Sequence, residues 1–237
     1  MLASATAWWA PKAGNAAHEY EDAFALEAAA LRFAVADGAS ETSFARQWAE
    51  LLVDRFVHEP PAAASLREWV APMQATWAGA NQPKAVAWYA EEKAREGAFS
   101  SLLGVAIDHG RWRAMAIGDS CLFLVRAGKI ERAFPLARSE QFSNRPLLLS
   151  SVARANQKVW DDVRNDEGEL QGKDQLLLMT DALAQWFLVE VEMRRRPWAA
   201  LARTTSQDSF AAFVDLLRAS GALRNDDTTL VRIEVAA

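Results

Sequence analysis

The chain has 237 residues, 51% apolar and 24% charged, with a net charge of −5, which suits one large α/β or sandwich domain that needs no staples. Its one cysteine, Cys121, excludes an internal disulfide framework and a cysteine-built zinc cage. The acidic balance speaks against nucleic acid as the main partner, no apolar run reaches the ~18 residues of a membrane span, and the start of the chain shows no signal-peptide pattern, so the expected compartment is the cytoplasm.

Strands are expected first. Thr6 to Ala10 is short and apolar, and Asp22 to Glu27 and Leu31 to Ala36 pair as a hairpin. The period then changes. Phe44, Trp48, Leu51, Leu52 and Phe56 recur at helical spacing. Ser65 caps a second helix through Leu66, Trp69, Val70, Met73 and Trp77, which Pro72 should kink or split. A third is expected from Pro83 to Arg95, stopped by Gly97.

Strands return as a meander over Phe99 to Ile107, Trp112 to Ile117 and Cys121 to Arg126, separated by His109-Gly110 and Gly118-Asp119. Pro135 to Gly172 reads as the least regular part. Asp174 to Thr180 holds a buried strand, Ala182 to Met193 a helix, Ser206 to Ser220 another helix stopped by Gly221, and Thr228 to Val235 a core strand. Two groups of strands, each followed by helices, favour two packed sheets with helices outside over an alternating parallel sheet. The ten tryptophans read as core and interface filler.

Acidic residues recur at the strand ends: Glu21-Asp22, Asp37-Gly38, Asp119, Asp181 and Asp226-Asp227. Hard cations such as magnesium and manganese take carboxylate and water oxygens, and a pair of them can activate water and clamp a phosphoryl group. Asp and Gly at strand ends are also ordinary turn formers, and spacing alone does not bring distant acids together.

The order of these blocks resembles the metal-dependent, 2C-type serine/threonine protein phosphatases. Glu21-Asp22-Ala23-Phe24, Phe33-Ala34-Val35-Ala36-Asp37-Gly38, Ala116-Ile117-Gly118-Asp119-Ser120, Leu176 to Leu183, and Asp226-Asp227-Thr228-Thr229-Leu230-Val231 match family blocks in order over nearly the whole chain. The resemblance implies an α+β fold, a four-layer αββα sandwich of two antiparallel sheets flanked by helices, as one domain over 1–237. It implies hydrolysis of phosphoserine and phosphothreonine by direct attack of a metal-bridging water, with two manganese or magnesium ions and a looser third. Carried over, Asp37 bridges two metals, the Gly38 carbonyl binds one of them, and Asp181 and Asp226 hold the other. Glu21 and Asp22 act through metal-bound water, and Asp119 helps hold the third ion. The implied partner is a phosphoprotein, opposing a serine/threonine kinase, with neither nucleic acid nor membrane involved.

Departures concern the phosphate grip. Ala17 stands where the family places an arginine; His18 is adjacent and Lys12 not far upstream, and His18 is carried forward as a phosphate contact without the guanidinium's bidentate fork. Ala39-Ser40-Glu41 replaces the family's glycines, Ala182 replaces a glycine, and Arg145 is a further cation near the expected substrate flap. The alternative is a catalytically weak or inactive regulatory module that holds a protein partner through a tryptophan-rich surface.

Overall fold

The structure is a computed structural model that describes residues 3–39, 44–62, 65–81, 97–143 and 145–236. The helix expected from Pro83 to Arg95 lies outside the described residues, as do Ser40, Glu41 and Asn144.

In chain order, β1 is Ala3–Ala10, β2 Ala23–Glu27 and β3 Arg32–Ala36, followed by helices α1 (Ala45–His58) and α2 (Leu66–Ala80). Then come β4 (Phe99–Ser100), β5 (Leu102–Asp108), β6 (Arg111–Ile117), β7 (Cys121–Arg126), β8 (Lys129–Phe134), β9 (Leu149–Ser150), β10 (Arg164–Glu169) and β11 (Gln175–Met179). Helices α3 (Asp181–Glu192), α4 (Pro197–Leu201) and α5 (Gln207–Ala219) precede the last strand, β12 (Thr228–Val235).

One five-stranded antiparallel sheet runs β1-β12-β11-β7-β8 and the other β10-β6-β5-β3-β2. The alternation of strand side chains explains why the sheets stack. Leu176 and Leu178 of β11, Leu122 and Leu124 of β7, and Val231 and Ile233 of β12 point into one core with Phe33, Val35, Leu103 and Val105 of the other sheet. The intervening Leu177, Met179 and Phe123 face the other way, onto Leu183 and Phe187 of α3 and Phe210 and Val214 of α5. On the far side, Ala34, Leu102, Met115 and Ile117 pack under Trp48, Leu52 and Phe56 of α1 and Val70 and Met73 of α2. The result is the expected α+β sandwich in four layers, αββα.

Helix α1 lies close against its sheet. A Cβ at Gly104 of β5 would stand 2.3 Å from the Phe56 ring. Gly104→Ala is therefore expected to destabilise by about 1–3 kcal/mol through overpacking. The double variant Gly104→Ala/Phe56→Leu should recover part of that loss in denaturant melts.

The structure corrects several expectations. Helix α2 runs through Pro72 as one helix. Pro72 lies on its exposed face, where water can take the carbonyl that the missing N–H leaves free, while Leu66, Trp69, Val70, Met73 and Trp77 are buried along the other face. The meander has a further strand, β8, and the segment from Pro135 to Gly172 contains β9 and β10. Strands β8 and β10 are outer strands of their sheets, each paired on one side only, so their polar residues break the apolar alternation that marks a core strand. Arg132 of β8 donates to both carboxylate oxygens of Asp166 of β10 at 2.6 Å, tying the two outer strands together.

Candidate metal centre

Acids from both sheets collect at one edge of the sandwich. Asp37 follows β3, Asp119 lies between β6 and β7, and Asp181 opens α3 directly after β11. One oxygen from each of Asp37, Asp119 and Asp181 can be chosen so that all lie within 4.8 Å of one another. Asp119 and Asp181 are buried and Asp37 is partly so.

A serine relay fixes Asp37. Its backbone N–H donates to Ser101 Oγ at 3.0 Å, Ser100 Oγ donates to its carbonyl at 2.8 Å, and Ser101 Oγ meets Ser120 Oγ at 2.7 Å. Ser120 follows Asp119, so the relay links the two acid-bearing turns. Gly118 turns the chain at φ +87°, a conformation that favours glycine. Gly38 serves close approach instead: a Cβ there would stand 2.6 Å from the Glu21 carbonyl oxygen. That contact brings Glu21-Asp22 against Asp37-Gly38.

The closing block clamps the N-terminal segment. Asp227 accepts from the Lys12 N–H at 2.7 Å and from the Glu21 N–H at 2.6 Å. Asp226 accepts the Asp227 N–H, and Arg218 of α5 donates to the Asp226 carbonyl at 2.6 Å and to the Pro11 carbonyl at 2.8 Å. Asp227→Ala strands two backbone donors of a buried clamp, with an expected loss on the order of 2–4 kcal/mol and a melting point roughly 10 °C lower. Asp227→Asn should fall between, because its amide accepts through one oxygen only; thermal melts check the order.

Asp22 lies beneath this surface. Its Oδ2 accepts from Thr229 Oγ1 at 2.6 Å, and Thr229 Oγ1 is in turn hydrogen-bonded to the Tyr20 hydroxyl. Its buried Oδ1 has no hydrogen-bond partner among the described residues. Burial, and then the neighbouring Asp37 carboxylate, hold the Asp22 carboxyl well above the usual range. Burial, with Asp119 and Asp226 nearby, pushes Asp37 up to about 8, and burial pushes Asp119 up to about 6. Carboxylates gathered without a sufficient counter-charge retain protons in this way.

Of the residues expected from the sequence, Asp37, Asp119 and Asp181 meet directly. Asp22 and Asp226 flank them: Asp226 raises the Asp37 and Asp119 carboxyls, and Asp37 raises that of Asp22. Gly38 and the Glu21 backbone are held beside them. His18 is exposed and is not among the converging acids; it lines a recess of about 490 Å³ with Lys12, Glu21 and Arg46. Arg145 is exposed and its backbone N–H turns onto Ser143.

One residue was missed. Arg224, two positions before Asp226, donates through Nη2 to Asp181 Oδ2, and the same nitrogen lies 3.3 Å from Asp226 Oδ2. Its signal in the sequence is a cation in the run Arg224-Asn225-Asp226-Asp227, which reads there as an ordinary loop.

The donor set fits a hard cation. The ligating groups are carboxylate oxygens, and a buried Asp22 oxygen beside them has no hydrogen-bond partner among the described residues. Architecture and acidic edge together define an αββα sandwich with a carboxylate cluster drawn from both sheets. The family model for protein phosphatase 2C matches residues 17–224, and the chain belongs to that family.

Solved structures agree in fold. The serine/threonine phosphatase PstP/Ppp of Mycobacterium tuberculosis is 18% identical, with 100% of each chain covered and a TM-score of 0.68. PppA, a key regulatory component of T6SS in Pseudomonas aeruginosa, is 17% identical over 99% of this chain and 98% of its own, with a TM-score of 0.60. The photosystem II phosphatase PBCP is 14% identical over 99% of each chain, with a TM-score of 0.65. No curated protein matches the chain.

Proposed function

We propose that the chain is a metal-dependent serine/threonine phosphoprotein phosphatase. The observation that carries this reading is the convergence of Asp37, Asp119 and Asp181, separated widely in sequence, within 4.8 Å at one sheet edge. Support comes from membership of the protein phosphatase 2C family, from PstP in complex with 2 manganese ions, and from RsbX in complex with magnesium.

Asp37, Asp181, Asp226 and Asp119 would hold the cations, with the Gly38 carbonyl beside Asp37 and with Glu21 and Asp22 acting through water. Bound as a pair, manganese or magnesium ions supply an activated water and neutralise charge on the phosphoryl oxygens. The residues of the chain do the rest. The serine relay fixes Asp37 in direction, Asp227 and Arg218 hold the Glu21-Asp22 segment in place, and Lys12 and Arg46 put positive charge in the recess beside Glu21, with His18 as a further polar contact there. That recess suits the approach of a phosphorylated peptide. Cytoplasmic signalling opposite a serine/threonine kinase is the setting we infer; among the described residues no helix is long and apolar enough to cross a membrane.

A second reading, an inactive module that binds a protein partner, is favoured by Ala17 at the expected arginine position. The tryptophan-rich surface it expects is weak among the described residues: Trp8, Trp48, Trp69, Trp77, Trp112 and Trp186 are buried, Trp9, Trp160 and Trp198 are half-buried, and the exposed large apolar residues are Phe44, Leu147, Met193 and Leu216.

The deciding experiment is manganese-dependent hydrolysis of a phosphothreonine peptide by the purified chain, beside a small aryl phosphate. Turnover of the peptide supports the protein phosphatase. Turnover of the ester alone points to a small-molecule phosphatase. Neither, with manganese bound to folded protein, supports the inactive module.

A further inference from the structure

The guanidinium of Arg224 lies on the acids through which a cation would be held. Its Nη2 bonds Asp181 Oδ2 and stands 3.3 Å from Asp226 Oδ2. Its positive charge also acts on Asp37 and Asp119, drawing both carboxyls back toward the ionised form against the effect of burial. No other ion pair among the described residues reaches Asp181 or Asp226. An arginine in that place is a counter-ion to a cluster that otherwise repels itself.

The arrangement cannot coexist with a cation held by the same oxygens. Asp181 Oδ2 cannot accept from a guanidinium and coordinate a divalent ion along one direction, and two positive centres at that separation repel. Arg224 must leave Asp181 when a cation takes it. It is not buried: its side chain is 38% exposed, and its tether to Asp226 through Asn225 keeps it at the mouth of the site. A guanidinium released there is a bidentate donor matched to phosphate oxygens, in a chain whose Ala17 supplies no such group.

We propose that Arg224 exchanges partners: without metal it pairs with Asp181 and Asp226, and with metal bound it turns to the phosphoryl group of the substrate. This rests on the phosphatase reading above, and it assigns the phosphate contact to the closing block of the chain instead of its start. The exchange also gives metal and phosphate a reciprocal coupling. Phosphate, by holding the released guanidinium, favours the metal-bound arrangement.

The test uses the full chain and two binding titrations that need no turnover. Manganese binding to wild type, Arg224→Ala, Arg224→Lys and Asp37→Asn is measured by calorimetry, and inorganic phosphate binding is then measured at saturating manganese. Circular dichroism melts verify that each variant is folded, and the exposure of Arg224 makes a folded Arg224→Ala the expected outcome. The expected result for Arg224→Ala is manganese bound about tenfold tighter and phosphate bound about tenfold more weakly. Arg224→Lys should retain near wild-type manganese affinity through its charge, yet lose most of the phosphate affinity for want of the fork. Manganese affinity within twofold of wild type in Arg224→Ala overturns the exchange. Unchanged phosphate affinity in the same variant overturns the phosphate contact. If wild type binds no manganese while remaining folded, the phosphatase reading itself falls, which the calorimetry separates from the other two results.

Discussion

Asp37→Asn is expected to lower manganese-dependent hydrolysis of a phosphothreonine peptide by roughly 10³-fold or more, with the fold retained. The magnitude follows from position. Asp37 is one of three acids whose oxygens converge within 4.8 Å, and it enters the site from the end of β3. The amide is nearly isosteric but carries no charge, so it weakens cation binding while leaving the backbone bonds to Ser100 and Ser101 in place. The measurement is kcat/KM for wild type and variant over a manganese series. A loss confined to low manganese means that affinity alone is reduced. A loss that persists at saturation places Asp37 in the chemistry. Activity within tenfold of wild type at all concentrations would remove the cluster from the reaction.

The second large effect concerns pH and stability. Asp37 is pushed up to about 8 and Asp119 to about 6, by burial first and, for Asp37, by the surrounding carboxylates next. In the unfolded chain both titrate near ~4. Between those limits the native protein holds more protons than the unfolded chain, so its stability falls as pH rises. The metal-free protein is fully stabilised below about pH 4 with respect to these groups, and loses on the order of a few kcal/mol as pH climbs through 6 and then 8. Manganese reverses the sign of the problem by binding the ionised carboxylates. At about one hundred times its dissociation constant it adds roughly 2.7 kcal/mol, or about 5–10 °C in melting temperature. Melts with chelator and with manganese at pH 5.5, 7 and 8.5 should therefore diverge as pH rises. Asp37→Asn in chelator should be more stable than wild type at pH 8.5, because it removes one of the repelling charges. A flat melting temperature for the chelated protein across that range would show that the carboxylates are ionised throughout.

How much of this could be read from the chain depends on what each element buries. Strands β6, β7, β11 and β12 lie inside their sheets and are rich in apolar residues, and their positions were legible to within a residue or two; the run expected from Phe99 to Ile107 instead splits, Phe99–Ser100 pairing with β9 and Leu102–Asp108 forming β5. The outer strands β8 and β10 bury little, carry charge, and are set by the neighbours they pair with and by the Arg132–Asp166 bond. No local pattern announces them. The same holds at the site. Each aspartate was visible as an acid at a strand end, but the meeting of Asp37, Asp119 and Asp181 depends on sheet topology that spacing does not carry. Order of blocks, through resemblance to a family, supplied what spacing lacked. Arg224 escaped even that, because the acid it bonds, Asp181, lies 43 residues away on another element.

The seam between the two ends of the chain has a consequence for synthesis. Among the described residues strand β1 pairs only with β12, in register from Ala3–Val235 to Ala10–Thr228, and Asp227 clamps Lys12 and Glu21 across 215 and 206 residues. On a ribosome, a nascent chain that has exposed everything up to Leu223 has a β1 without a partner and a Glu21-Asp22 segment without its clamp. Assembly of the acidic edge then waits for the last strand to emerge, and a polypeptide stalled short of it carries unpaired strand edges that aggregate readily.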